Sequence, residues 1–136
     1  MRFVDTNVLL YAIGTNRKER RKTDIASGLL EHGDLGLSVQ VLQEFYVQAT
    51  RPSRQDRLSH NQASALVEAF LRFSVQEITV AVMNAALLSH EHFQISYWDA
   101  AILEAARSLG CNEVLSEDLS DGQDYGGVVV VDPFRE

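Results

Sequence analysis

Val128-Val129-Val130-Val131 is an apolar run with no polar residue at alternate positions, and Pro133 stops it two residues later. A strand with one face in water alternates. One that does not is covered on both faces, as the strands of a parallel sheet are. Parallel strands need long crossovers, usually helices packed against the sheet. The rest of the chain supplies both parts. Short segments at Arg2–Val4, Leu35–Leu37, Val75–Ile78 and Glu113–Leu115 read as further strands. Between them, apolar residues recur at three- and four-residue spacing. This predicts helices over Asn7–Ile13, Arg17–His32, Val39–Thr50, His60–Phe73, Val80–Phe93 and Tyr97–Leu109. Gly14, Gly33 and Gly110 stop three of them. Arg51–Ser59 reads as a polar loop. The expected fold class is α/β, a parallel sheet of about five strands flanked by helices.

At 136 residues the chain fits one domain, large enough to bury a core without disulfide staples. The lone Cys111 excludes an internal disulfide and a cysteine-rich zinc site. No apolar stretch approaches the ~18–20 residues of a membrane span. Asp5 interrupts any signal-peptide core. The expectation is a soluble, cytoplasmic protein.

Twelve Lys and Arg stand against nineteen Asp and Glu, a net charge of −7, which argues against a general nucleic-acid coat. The basic residues are not spread evenly. Arg17, Lys18, Arg20, Arg21 and Lys22 form one group, and Arg51, Arg54 and Arg57 another. Either these are solvated faces, or they hold phosphates beside an acidic body.

In open α/β sheets, ligands bind outside the carboxyl ends of the strands. Asp5 directly follows the first strand, and Asp118 lies just past the fourth. Glu44 sits on the helix after the second strand. Asp99 sits in the first turn of the last helix. Two such charges 4 Å apart repel by about 4 kcal/mol at an effective dielectric near 20. A four-acid cluster therefore raises its own pKa values or recruits a cation. Oxygen ligands without a dedicated cage favour Mg²⁺ or Mn²⁺, which also take phosphate oxygens. The chemistry this suggests is hydrolysis of a nucleic-acid backbone by a metal-activated water. Each acid also has a plainer use. Ser96-x-x-Asp99 resembles a capping box, Glu44 suits a solvated helix face, and Asp5 and Asp118 suit a loop and a turn.

Five segments together resemble the PIN-domain family, specifically the small VapC-type toxin ribonucleases. They are Phe3 to Tyr11, Ser38 to Tyr46 with Gln43-Glu44-Phe45, and Tyr97 to Ile102 followed by Ala105 and Ala106. The last two are Leu115 to Leu119 followed by Asp121-Gly122, and Val130 to Phe134. Asp132 departs from the family's usual Asn-Pro-Phe ending. The resemblance implies a single PIN-like domain over residues 1–136 and a Mg²⁺-dependent endoribonuclease, with Mn²⁺ as a substitute. It implies Asp5, Glu44, Asp99 and Asp118 as catalytic, metal-binding acids, with Asp5 and Asp99 the best direct ligands. Thr6 and Ser116 are expected to offer hydroxyls to the metal's waters or to phosphate, and Asp121 to assist through a water. RNA is expected on Arg17, Lys18, Arg20, Arg21, Lys22, Arg51 and Arg54. The resemblance further implies a small VapB-like antitoxin and homodimerisation.

Among Glu117, Asp118, Asp121 and Asp124, alternation along an extended segment sends Glu117 and Asp118 opposite ways. His90 and His92, two apart on a helix, do not share a face and make no zinc pair. Tyr11, Tyr46, Tyr97 and Trp98 suit core or dimer contacts, with base stacking as the alternative for the last two. Competing functions are a phosphatase with an aspartyl nucleophile, a phospho-acceptor signalling domain, and an inactive PIN-like binding protein. The first usually has Asp-x-Asp where this chain has Asp5-Thr6-Asn7. The second needs a lysine near the last strand, and the only lysines are Lys18 and Lys22.

Overall fold

The computed structural model describes all residues, 1–136. Its elements in chain order are β1 (Arg2–Val4), α1 (Thr6–Ala12), a 3₁₀ turn (Arg17–Glu19), α2 (Arg20–His32), β2 (Leu35–Ser38) and α3 (Val39–Ala49). There follow α4 (His60–Phe70), β3 (Ser74–Gln76), α5 (Val80–Phe93), α6 (Tyr97–Ser108), β4 (Glu113–Leu115), β5 (Asp124–Tyr125) and β6 (Val128–Val131). The sheet has six strands in the order β3-β2-β1-β4-β6-β5. All neighbours are parallel except β5 against β6. The result is one mixed α/β domain with helices about a mostly parallel sheet.

The expectation of about five strands misses β5. Its signal was Gly126-Gly127, both at positive φ (64° and 97°), which close a two-residue hairpin into β6. Such turns require φ > 0 at both central positions, which glycine adopts without strain. Arg107 clamps this hairpin from α6, donating to the Gly126 and Tyr125 carbonyls at 2.6 Å each. The helix expected over Arg17–His32 begins as a 3₁₀ turn, and that expected to Phe73 ends at Phe70. There the backbone folds into turns, with the Phe73 N–H reaching the Phe70 carbonyl.

Phe3, Val4, Leu35, Leu37, Val114, Leu115, Val128 and Val130 form the sheet's share of the core, all at most 1% exposed. Helices cover them with Val8, Leu9, Val41, Phe45, Leu103 and Ala106. Serine and threonine caps start the helices: Ser38 for α3, Ser59 for α4, Thr79 for α5 and Ser96 for α6. Topology then places the site. From central β1 the chain moves to β2 and β3 on one side, and returns as β4 on the other. The crevice of such a sheet opens where the order reverses, at the carboxyl ends of β1 and β4.

Candidate active site

Asp5 leaves β1 at this crevice and becomes the N-cap of α1. One carboxylate oxygen accepts the Thr6 N–H at 2.8 Å. The other accepts the Ser116 hydroxyl at 2.7 Å, from the residue that follows β4. Asp5 is buried. Burial pushes its pKa up to about 6, against hydrogen bonds from Ser116 and Thr6 that lower it and with the charges of Glu44 and Asp118 adding to the rise.

Glu44 lies on α3, half-buried, and accepts the Thr6 hydroxyl at 2.7 Å and the Gln40 amide at 3.0 Å. Asp118 is exposed and accepts the Asn7 amide at 3.2 Å. Asp99 is half-buried. Its N–H reaches the Ser96 hydroxyl at 3.1 Å, but its carboxylate makes no return bond to Ser96. The capping box is thus half realised: Ser96 caps α6 alone, and the Asp99 carboxylate has no protein partner. All four acids line one small cleft of about 120 Å³, walled by Leu10, Ile102 and Trp98. None of the four pairs with a basic side chain.

Asn7 is the residue sequence reasoning missed. Its Nδ2 lies 3.4 Å from Asp5, 3.2 Å from the Ser116 hydroxyl and 3.2 Å from Asp118. Its Oδ1 accepts the Glu117 N–H at 3.2 Å. An amide NH₂ has two hydrogens, so it shares them among three acceptors. A signal was available in Asp5-Thr6-Asn7, where an amide follows the first acid within one helical turn.

Glu117 does turn away from Asp118. Its carboxylate accepts the Tyr11 hydroxyl at 2.6 Å and the Lys22 ammonium. Burial raises its pKa, but those two bonds outweigh burial and hold the carboxyl below the usual range. Asp124 is carried off into β5, where it accepts the Gly127 N–H. Asp121 also faces elsewhere, accepting the Asp132 N–H at 2.8 Å and pairing with Arg135 at 2.9 Å. No geometry links Asp121 to the four acids.

The basic residues divide. Lys22 is bound to Glu117, Arg21 donates to the Phe134 carbonyl at 2.6 Å, and Arg54 pairs with Asp56 at 3.0 Å. Arg17, Lys18, Arg20 and Arg51 are exposed and have no acidic partner within salt-bridge distance. Cys111 is buried, as a small core residue is.

The oxygen-only donor set suits a hard divalent cation. As placed, no three His, Cys, Asp or Glu side chains come close enough to hold an ion by themselves. A cation held there would have to draw the rest of its shell from water or substrate oxygens, as Mg²⁺ readily does.

The PIN domain family model matches residues 2–120. The chain belongs to the PIN domain family. The fold of this PIN domain recurs in solved toxin–antitoxin structures. A toxin–antitoxin complex from Klebsiella pneumoniae superposes with a TM-score of 0.69 at 20% identity, over 98% of both chains. VapC20 of Mycobacterium tuberculosis, described as a sarcin–ricin loop cleaving toxin, gives 0.62 at 20% identity, over 87% of this chain and 92% of that one. VapBC2 of Rickettsia felis, bound to a promoter DNA fragment, gives 0.65 at 14%, over 95% and 96%. Curated protein sequences give no match. No helix is long and apolar enough to cross a membrane.

Proposed function

We propose that this PIN domain is a Mg²⁺-dependent endoribonuclease, with Mn²⁺ as a substitute, acting in the cytoplasm as the toxin of a VapBC-like pair. The observation that carries the reading is the convergence of Asp5, Glu44, Asp99 and Asp118 on one cleft with no cation of the protein's own. Membership of a family that is generally nucleolytic agrees with it.

Asp99 and Asp5 are the direct ligands in this reading, with Glu44 and Asp118 completing the negative rim. A divalent cation, when bound, offsets negative charge on the phosphodiester and acidifies water. The protein's part is orientation. Ser116 and the Thr6 N–H fix both oxygens of Asp5, and the Thr6 hydroxyl and Gln40 fix Glu44. Arg17, Lys18, Arg20 and Arg51 supply phosphate contacts on the approach.

Two partners belong to the proposal. The solved neighbours include toxins held by antitoxins, which supports a small antitoxin here. A second copy of this chain is the other partner. Val80, Leu87 and Leu88 on α5, with Trp98 on α6, are 50–74% exposed and offer an apolar face for it.

The deciding experiment is cleavage of RNA by purified protein with Mg²⁺, after EDTA, and with Asp99→Asn. Cutting that needs the metal and Asp99 is expected. Full activity after EDTA, or in Asp99→Asn, overturns the reading.

A further inference from the structure

Beside the acid cleft lies a second, larger cleft of about 610 Å³. Asn7, Leu10 and Asp118 line both, so the two adjoin. The larger one opens between the start of α2 and the Arg51–Ser59 loop, with Asn16, Glu19, Arg54 and Gln55 among its walls. Its volume falls in the range of pockets that take small organic groups.

Its charges are mostly spoken for. Asp56 accepts the N–H and hydroxyl of Thr15 and pairs with Arg54. Glu117 is held by Lys22 and Tyr11. Asp118 belongs to the acid site. Glu19 alone is a half-buried carboxylate in this wall with neither hydrogen bond nor salt bridge on its side chain. It stands at the N-cap position of α2 and yet caps nothing. Lining the cleft with its acceptor oxygens unused, this carboxylate is suited to a ligand that brings hydrogen-bond donors.

A phosphate is the wrong occupant, because the wall carries more acids than bases. The Gln55 amide and the Asn16 Nδ2, whose Oδ1 is taken by the Lys18 N–H, are free to meet the edge of a planar heterocycle, where donors and acceptors lie side by side. Guanine presents two adjacent donors, its ring N–H and its amino group, that a carboxylate accepts together. We propose that this cleft seats a guanine next to the cleaved phosphodiester, with Glu19 reading its donor edge; this rests on the ribonuclease reading above.

The test uses short uridine-rich RNAs carrying one guanine, adenine or hypoxanthine base, the last lacking the amino group. Binding is read by fluorescence anisotropy on Asp99→Asn protein, and cleavage on the otherwise wild-type chain with Mg²⁺. The guanine RNA is expected to bind, and to be cut beside the guanine, about tenfold better than the other two. Glu19→Gln is expected to bring the three together, with thermal stability near wild type. Equal treatment of the three RNAs by the wild-type chain overturns the inference, as does a guanine preference that survives Glu19→Gln. So does a result in which Glu19→Gln weakens only an arginine-rich peptide, which makes the cleft a seat for a basic protein partner. If no RNA is bound or cut at all, the ribonuclease reading itself fails, a different outcome from cutting without preference.

Discussion

The Ser116 hydroxyl donates to the Asp5 carboxylate at 2.7 Å across 111 residues of sequence. The same hydroxyl accepts the N–H groups of Asp118 and Leu119, at 3.1 and 3.3 Å. One side chain therefore sets the orientation of the first acid and the path of the loop carrying the fourth. Ser116→Ala is expected to lower metal-dependent RNA cleavage about tenfold, roughly 1.4 kcal/mol of barrier. It also leaves the loop N–H groups unpaired, which costs about 1 kcal/mol of stability. Single-turnover kinetics and urea denaturation read the two effects separately, and wild-type values in both refute the role.

Asp118 is exposed, and its carboxylate is anchored only through Asn7. Asp118→Asn is expected to reduce cleavage at least about tenfold, while Glu117→Gln acts mainly on stability by weakening the ion pair with Lys22. A series with the opposite ranking of activities contradicts the placement. Asn7→Ala is expected to resemble Asp118→Asn in activity, because it frees Asp118 and the Glu117 N–H together.

Asp5 predicts a pH dependence whose sign is unusual for an acid. Its pKa is about 6 in the folded protein, against 3.8 for the free group. Between those values the native state binds more protons than the unfolded chain. Stability of the metal-free protein therefore falls as pH rises from about 4 to about 6, by on the order of 2–3 kcal/mol from this group. Urea midpoints in EDTA at pH 4.5 and 7 are the measurement. Asp5→Asn is expected to remove this component, and Mg²⁺ at pH 7 to restore stability. A midpoint that rises with pH through this window in wild type, yet not in Asp5→Asn, contradicts it.

The exposed bases predict a split by function. Neutralising Arg17, Lys18, Arg20 and Arg51 is expected to flatten the salt dependence of RNA binding. On a single strand the slope falls by about 0.7 for every phosphate that is no longer neutralised. Lys22→Gln is instead expected to destabilise the fold, because it removes the partner of Glu117. An unchanged salt slope returns the exposed group to a solvated face.

Arg107→Ala is expected to cost about 2 kcal/mol, measured by thermal or urea unfolding. The substitution strips donors from two hairpin carbonyls and from Glu104, which is buried against Ser89. A change within experimental scatter shows that Gly126-Gly127 holds the hairpin unaided.

What the sequence determined by itself was periodic or local. The unalternating valines, the three- and four-residue spacing and the glycine stops follow from near-neighbour geometry, so the α/β class and nearly every element were legible. That Asp5, Glu44, Asp99 and Asp118 gather at one rim was legible too, through strand ends and the PIN resemblance. The hairpin strand β5 was missed because two residues carry no period; only its Gly-Gly turn announced it. What tertiary structure alone decided was pairing. Lys22 and Glu117 meet because α2 packs beside the loop after β4, and no spacing rule connects residues 95 apart. Asp121 had the right residue type and neighbourhood but turned to Arg135. Asn7 follows the first acid closely, but its partners were set only when the parallel register of β1 and β4 brought Ser116 and Asp118 against it. A side chain's chemistry is local, whereas its partner depends on which strand lies next to which.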